Sequence, residues 1–572
     1  MSYSRIYVKA KKLFSKAYFL LNKQSLHPWY VFLFFACYFI AAYMTVEKVF
    51  SLDDHFFHIR FAELFRQRGM GAFTGFQSIY FSKMGIVKDY FVYYNFLFYI
   101  VLIPFTFISP LVLGMKLYGV FALSASFMAV YVFLKKVPVK YPFVWTLLFL
   151  LAMLQSGWLF RFTLARPFTL APAFLVVLLL FIYKKKYLAM AIIAFLYFYW
   201  HTATFVFPLC LAFGYFLFEQ FYGKKPDWKL VTWPLAGTLA AVFLAYLISP
   251  GVVSYLKDVI FPVFFDTTLT KSTGISEGAE VYGKDIISTA TGFFLFVATL
   301  IIAGSYEIFR YIHLKKVVQG IEDAIDMSVQ PLRAMLFMAS LAFFAATSLS
   351  GRFLDYFVFF CFLYVAIALG DLVKFFEIKG ETFRRSLRVS LAVIIVFLFT
   401  TLSLNFYDSL ASRSSYLIAQ GPAEWLNMNL EKDKIIFNAD WDSFPTLYYF
   451  TGDKFRYVTG LEPRFLYDLD HRLYWEWSNI GKGIYCDSND CSALLKQRQA
   501  ISTRGDGKKQ WDQYEGNLIA NAILSDFQTD IIVVSNGNKD LLGVMDDSDR
   551  FERKFFDDKN SAYAIYKIIS KK

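Results

Sequence analysis

The side chains best suited to chemistry in this chain stand at the ends of long apolar runs, and the densest group follows the first such run. Residues Ser51-Leu-Asp53-Asp54-His55-Phe56-Phe57-His58-Ile59-Arg60 place two carboxylates, two imidazoles and a guanidinium within about two helical turns. At the edge of a bilayer, a carboxylate such as Asp54 can bind a metal ion or take a proton from an acceptor hydroxyl or amide; it can also simply cap the helix that follows. Arg352, in Ser348-Leu-Ser-Gly-Arg-Phe-Leu-Asp-Tyr-Phe, opens a later apolar run. There a guanidinium can grip phosphate oxygens through two parallel hydrogen bonds, or it can pair with Asp355. The loop Trp158-Leu-Phe-Arg-Phe-Thr-Leu-Ala-Arg-Pro contains no acid but holds Arg161 and Arg166, two cations able to neutralise a phosphate or diphosphate without a metal. His201 occupies a short turn, Trp200-His201-Thr202-Ala203-Thr204, where an imidazole can ligate a metal, share a proton with Asp54, or donate to a backbone carbonyl.

The elements that carry these residues follow from hydropathy. Of the 572 residues, 57% are hydrophobic and 18% charged, and the mean hydropathy is +0.45, a balance that excludes a water-soluble globular protein of this size. Apolar stretches of membrane-crossing length fall near 29–49, 114–134, 141–157, 168–183, 187–203, 205–221, 229–248, 287–309, 332–348, 353–373 and 387–406, about eleven in all. The net charge of +13 comes largely from short basic clusters between these stretches, such as Lys184-Lys185-Lys186 and Lys224-Lys225. This is the pattern of cytoplasmic loops and not a nucleic-acid footprint, so no nucleic-acid partner is expected. The basic segment Met1 to Gln24 precedes an apolar run without a small-residue cleavage site and reads as the approach to a retained first span. With the N-terminus in the cytoplasm, every basic cluster stays inside, provided 91–112 is an interfacial or re-entrant helix. Residues 50–90, 158–167, the turn at His201, 249–286 and 349–352 then lie outside.

After about Tyr407 polar residues return, and short β-rich runs (Lys434-Ile-Ile-Phe-Asn and Asp530-Ile-Ile-Val-Val-Ser) alternate with helical patterns. The expected organisation is a transmembrane domain over 1–406 and a soluble, extracytoplasmic α/β domain over 407–572. Cys37, Cys210 and Cys361 lie in apolar runs, where a thiol behaves as a small hydrophobe. Cys486 and Cys491 bracket a polar loop; they are either two free thiols or, in an oxidising compartment, a local disulfide.

Several of these segments resemble motifs of the GT-C glycosyltransferase superfamily, in particular the catalytic subunit of oligosaccharyltransferases. The first-loop pattern of that family, Asp-x-x-Phe-Asn-Tyr-Arg, is similar to Asp54-His55-Phe56-Phe57-His58-Ile59-Arg60, with His58 and Ile59 in place of Asn and Tyr. Ser272-Thr-Gly-Ile-Ser-Glu277 resembles the Ser-Val-Ser-Glu segment of a long outer loop that folds over the active site, with Glu280 a close competitor of Glu277. Arg352 matches the arginine used against the lipid-linked phosphate. Trp200-His201-Thr202 resembles a Trp-Gly-Gly turn with His201 replacing a glycine. Trp441-Asp442 matches part of the Trp-Trp-Asp-Tyr-Gly acceptor-reading motif, with Asp440, Ser443 and Phe444 as departures. The second acidic motif of the family, expected in the loop of Arg161 and Arg166, is missing.

The resemblance implies a polytopic α-helical membrane protein of GT-C-like fold, sited in a bacterial or archaeal inner or plasma membrane. It implies transfer of a sugar or oligosaccharide, with inversion, from a polyprenyl phosphate or diphosphate donor to an extracytoplasmic acceptor. That acceptor is a protein or, alternatively, a lipid-linked glycan or cell-envelope polymer; a transporter of lipid-linked glycans is the non-enzymatic alternative. Asp54 and Glu277 would be the catalytic acids, Arg352, Arg161 and Arg166 the donor-phosphate ligands, and Trp441, Asp442 and His201 the acceptor side. A metal, if used, would be Mg²⁺ or Mn²⁺ on Asp54, Glu277 and His58, since hard cations prefer oxygen-rich sites.

Overall fold

The computed structural model describes residues 26–44, 46, 54–74, 95–137, 139–248, 251–257, 284–317, 329–376, 381–411, 415–461, 463–501, 505–556 and 563–569. The chain divides into two compact units. The first gathers Met1–Val46, Lys116–Leu244 and Gly283–Ser409; the second gathers Glu47–Met115, Ala245–Tyr282 and Leu410–Lys572.

The second unit is built on a mixed five-stranded sheet. Its strands are β1 (Ile435–Asn438), β2 (Arg456–Tyr457), β3 (Ile531–Ser535), β4 (Phe551–Phe556) and β5 (Tyr563–Ile568), in the spatial order β2-β1-β3-β5-β4. β1 runs parallel to β2 and β3, whereas β5 pairs antiparallel with both β3 and β4. β3 reads Ile-Ile-Val-Val-Ser, a β-branched run buried at its first four residues, as expected of an inner strand covered on both faces. Its core joins Phe437, Ile532 and Val534 to Trp477, Ile519, Ile523, Leu541 and Val544 from the covering helices and to Phe527 from the loop before β3. The buried Asn438 ties β1 to the segment after β2: its Nδ2 donates to the Thr459 carbonyl at 2.9 Å and its Oδ1 accepts from the Thr459 amide at 3.1 Å. Cys486 and Cys491 form a disulfide, and Asn479 Nδ2 donates to the carbonyls of Cys486 and Ser488, both at 2.9 Å, holding the closed loop.

The same unit contains the helix that follows Asp54, His55–Arg68. Phe57 packs on Phe444 and Tyr448 at ring separations of 5.8 and 5.2 Å, and Phe56 stacks on Tyr416 at 5.4 Å. Aromatic pairs at these separations add to plain area burial. They seat His55–Arg68 against the helix Phe444–Thr451, and an Arg68–Asp453 ion pair closes the far end. Residues Phe96–Phe107 form a short apolar helix that ends as a 3₁₀ turn, about half the length needed to cross a bilayer.

The first unit is helical because an apolar backbone removed from water must satisfy its amides internally. Among the described residues four helices are long and apolar enough to cross a membrane: Leu111–Lys136, Thr202–Phe221, Lys229–Ile248 and Gly351–Gly370. A fifth joins them if Ile286–Gly292 and Phe294–Ile308, bent by 94°, count as one span. Several expected spans correspond to shorter apolar helices, among them Pro142–Gln155 and Tyr187–Trp200. The difference from eleven has local causes. The run 187–203 stops being helical at the His201 turn, and the run 29–49 leaves the α-helix at Phe39 for a π-helical turn over Ile40–Met44. Proline starts many helices, with Pro28, Pro142, Pro172, Pro208 and Pro331 in first turns, where its missing N–H leaves no bond unmade. In the helix Leu354–Phe376 every residue from Leu354 to Ala368 is buried, the all-round burial expected of a helix apolar on all faces, with Asp355 the charged exception.

Close backbone approach sets the position of the arginine loop. A Cβ at Gly119 would lie 2.3 Å from the carbonyl oxygen of Thr163, so only glycine lets Leu111–Lys136 touch the segment between Arg161 and Arg166. Gly119→Ala is therefore expected to push that loop off the helix and lower the melting temperature of the detergent-solubilised chain by several degrees. An unchanged melting temperature would show that the contact does not hold the loop.

Candidate active site

Within the first unit, side chains far apart in sequence join into one polar network. Arg161 lies in a 3₁₀ turn, Trp158–Thr163, that follows Gly157 in a left-handed conformation at φ 66°, a backbone glycine adopts readily. Its Nε donates to both oxygens of Asp355, at 2.9 and 3.1 Å, while Trp158 Nε1 donates to Asp355 Oδ1 at 2.8 Å. The side chains of Arg161 and Asp355 are only 7% and 2% exposed, so this is a desolvated pair. The Arg161 guanidinium also lies over Phe168 at 4.3 Å, and Arg166 approaches the same ring at 5.4 Å. Lys284 brings a further cation, with Nζ 4.7 Å above the Trp158 ring and its amide donating to the Thr347 carbonyl at 2.9 Å.

Arg352 stands in the 3₁₀ turn Gly351–Phe353, with its amide donating to Ser350 Oγ at 3.3 Å, one turn before Asp355. The next residue, Tyr356, leads to His201. Tyr356 Oη lies 3.3 Å from His201 Nδ1 and 3.1 Å from Thr204 Oγ1, and Thr204 Oγ1 lies 2.5 Å from the same nitrogen. Tyr197 Oη completes the cluster at 2.7 Å from Thr204 Oγ1. Burial, with the positive charge of Arg352 adding to it, depresses the His201 imidazole to about 3, so the ring is neutral throughout the physiological range. The histidine thus bonds to hydroxyls instead of a backbone carbonyl. Arg161, Arg166, Lys284 and Arg352 are cations set about Asp355, Phe168, Trp158 and a neutral imidazole. Such an arrangement suits an anionic ligand bearing oxygen atoms.

The second unit holds the candidate acids. Asp54 takes the first position of its helix, and its carbonyl accepts from the His58 amide at 2.9 Å, but its carboxylate makes no capping bond to that helix. His58 is buried, with Nδ1 2.9 Å from Tyr99 Oη and its ring edge-on to Phe98. Glu277 and Glu280 lie outside the described residues, as does Asp53. Among the described residues no three His, Cys, Asp or Glu side chains gather to hold a metal ion; the expected Mg²⁺ or Mn²⁺ set of Asp54, Glu277 and His58 includes Glu277, which lies outside them.

Trp441 and Asp442 lie in a 3₁₀ turn just beyond the carboxyl end of β1, with Trp441 packed on the core. Asp440 bridges to the loop beyond β3, accepting from the Ser535 amide at 3.2 Å and from Asn538 Nδ2 at 2.7 Å. The crevice outside the carboxyl ends of parallel strands is where open α/β sheets place ligands. Burial, then the nearby charge of Asp440, pushes the Asp442 carboxyl up to about 6. The helix that begins at Phe444, two residues on, is the one against which Phe57 packs, so the turn of Asp442 and the helix of Asp54 share one aromatic support.

No family and no curated protein matches the chain by sequence. By structure it aligns over 89% of its length with 69% of the Archaeoglobus fulgidus oligosaccharyltransferase in its apo form, at 12% identity and a TM-score of 0.55. Its fold is similar to that of an oligosaccharyltransferase. At so low an identity the likeness concerns the path of the chain, and the chemistry must be argued from the residues.

The structure adds residues that inspection of the sequence did not single out: Trp158, Lys284, Thr204, Tyr197, Tyr356 and the partnership of Asp355 with Arg161. Lys284 had one readable sign, its place just before Asp285, which caps the short helix Ile286–Gly292 by accepting from the Ser288 amide at 2.8 Å. Tyr197 and Thr204 meet His201 locally, but their bonds to Tyr356, and those of Trp158 and Arg161 to Asp355, cross 152 to 197 residues and leave no local pattern.

Two outcomes follow. Asp355→Ala strands the buried Arg161 charge and is expected to cost about 3–5 kcal/mol, read as a large fall in melting temperature; an unchanged value would mean that the pair does not order the loop. For Asp442 the raised carboxyl pKa means the folded chain binds more protons than the unfolded chain between roughly pH 4 and 6, so stability is lost as pH rises through that window. Asp442→Asn should therefore raise the melting temperature at pH 7.5, by roughly 1–3 kcal/mol in stability, and leave it unchanged near pH 4. Equal effects at both values would contradict this.

Proposed function

We propose that this chain is an integral-membrane glycosyltransferase that moves a sugar or oligosaccharide from a polyprenyl phosphate or diphosphate onto an acceptor outside the cytoplasm. The observation that carries the reading is a set of cations at the ends of apolar helices: Arg161 paired with Asp355, Arg166 against the same Phe168 ring, Lys284 over Trp158, and Arg352 in the field of His201. A lipid tail would lie among those helices and the phosphate would meet the cations. The oligosaccharyltransferase-like fold supports the same class of chemistry.

In this mechanism the bond between the anomeric carbon and the phosphate oxygen breaks as the acceptor attacks from the opposite face, which inverts the configuration. Negative charge grows on the departing phosphate. Arg352, Arg166 and Lys284 stabilise it, and Arg161, its Nε fixed by Asp355, is held in a single orientation for the same task. Such preorganised charge needs no rearrangement during the reaction. Asp54, whose carboxylate does not cap its helix, accepts a proton from the acceptor nucleophile or orients it. By the resemblance Glu277 would be the second catalytic acid, and Trp441 and Asp442 would engage the acceptor, a protein in the first instance. The Cys486–Cys491 disulfide supports an extracytoplasmic second unit, since such bonds persist in oxidising compartments.

The test uses the purified full chain in proteoliposomes with a polyprenyl-diphosphate-linked oligosaccharide and a host envelope extract as acceptor. Arg352→Ala and Asp54→Ala are each expected to lower covalent transfer by about 100-fold or more while leaving the melting temperature near that of the parent. Movement of the lipid-linked sugar across the bilayer without a covalent product would identify a transporter and overturn the reading; retained anomeric configuration would overturn the single displacement.

A further inference from the structure

Two buried hydroxyls, Thr204 and Tyr356, reach one nitrogen of His201, and a third, Tyr197, bonds to both of them; where their hydrogens point bears on what the other nitrogen can do. Tyr197, Thr204 and Tyr356 are all nearly excluded from solvent. Their oxygens lie 3.4 Å (Tyr356 to Tyr197), 2.7 Å (Tyr197 to Thr204) and 2.5 Å (Thr204 to His201 Nδ1) apart in series. A buried hydroxyl left without an acceptor is costly, so each hydrogen needs a lone pair to point at. The series Tyr356 to Tyr197 to Thr204 to Nδ1 satisfies all three, because it ends on a group that accepts without donating. The contact between Thr204 Oγ1 and Nδ1, at 2.5 Å, is the shortest of the set. A proton on Nδ1 would instead close the three hydroxyls into a triangle of 3.4, 2.7 and 3.1 Å edges, whose hydrogen bonds are each bent far from linear.

With the Nδ1 lone pair occupied, a neutral ring carries its proton on Nε2. That nitrogen belongs to a partly exposed residue at the end of the apolar helix Tyr187–Trp200, and the ring lies within the field of Arg352. We propose that His201 is a donor-binding residue that presents a fixed, uncharged Nε2–H to an oxygen of the lipid-linked phosphate or of the sugar attached to it. The Tyr197–Thr204–Tyr356 chain sets its tautomer. This deepens the glycosyltransferase reading and rests on it: His201 moves from the acceptor side to the donor side, and it acts neither as a metal ligand nor as a proton acceptor for Asp54. An uncharged donor beside an arginine has a chemical use. It adds directional recognition of oxygen without adding a second positive charge that Arg352 would repel.

The experiment measures binding of undecaprenyl phosphate, with and without a linked sugar, to the full chain in nanodiscs. His201→Ala is expected to weaken binding by about 10- to 100-fold, the loss typical of a hydrogen bond to a charged acceptor. His201→Gln, whose side-chain amide N–H can take the place of Nε2–H, should recover binding to within about threefold, whereas His201→Asn, which reaches only as far as Nδ1, should not. A loss seen with the bare phosphate assigns the partner to a phosphate oxygen; a loss seen only with the sugar-bearing lipid assigns it to a sugar hydroxyl. In ¹⁵N-histidine-labelled protein, the signal that vanishes in His201→Gln should be that of a neutral ring protonated at Nε2 from roughly pH 5 to 8. A ring protonated at Nδ1, or His201→Gln as impaired as His201→Ala in a folded chain, overturns the proposal. Parent-like binding of both lipids by His201→Ala, with binding lost in Arg352→Ala, removes the histidine and leaves the function standing; binding unaffected by either substitution removes the function itself.

Discussion

A buried ion pair with no water to screen it is a poor source of stability but a strict geometric constraint, and the first unit depends on one. Arg161 and Asp355 give up hydration that their mutual attraction barely restores, so their worth lies in orientation. Through Asp355 the loop after one apolar helix is fastened to the first turn of the helix Leu354–Phe376, and Trp158 is fixed by the same carboxylate. Tyr356, the adjacent residue, then stands where it can meet His201 and Thr204. The arginines, the lysine over Trp158 and the imidazole are thereby held by a shared origin and not by separate loops free to wander.

The second unit uses a different means to the same end. Its candidate acids are set by aromatic packing, because Phe57, three residues after Asp54, and Phe444, two after Asp442, press against each other. Asp442 is kept near another acid, Asp440, at a cost in stability at neutral pH. A position retained at such a cost is characteristic of a group kept for binding. Burial raises the Asp440 carboxyl as well, and the hydrogen bonds from Ser535 and Asn538 pull it part of the way back.

Much of this architecture was readable from hydropathy. A helix stands at each expected apolar run of the first unit, and the runs Ile435–Asn438 and Ile531–Ser535 are strands, because β-branched residues between polar turns leave few alternatives. Span length was less readable. Hydropathy windows do not register the π-helical turn at Ile40–Met44 or the 94° bend after Gly292, since both are made of residues as apolar as their neighbours. For the site, the residue types were evident but not their partnerships. Arg352 reads as a phosphate ligand or a local partner of Asp355, whereas the bond from Arg161 to that carboxylate crosses 194 positions and leaves no trace in the sequence. His201 looked like a replacement for glycine in a turn; the hydroxyls that give it a defined tautomer come from positions whose nearest neighbours are ordinary membrane residues.

The order of the sheet bears on how the chain is made. β5 is synthesised after β4 yet lies inside the sheet, hydrogen-bonded to β3 on one side and β4 on the other. Until residues 563–568 leave the ribosome, β3 and β4 have no neighbour to share between them, and each presents an open row of amides and carbonyls. A nascent chain stalled before Tyr563 would therefore display two sticky edges, one of them the almost wholly apolar Ile531–Ser535. Completion of the sheet is a late event in biogenesis, and a cell could distinguish finished from aborted chains by that exposed edge alone.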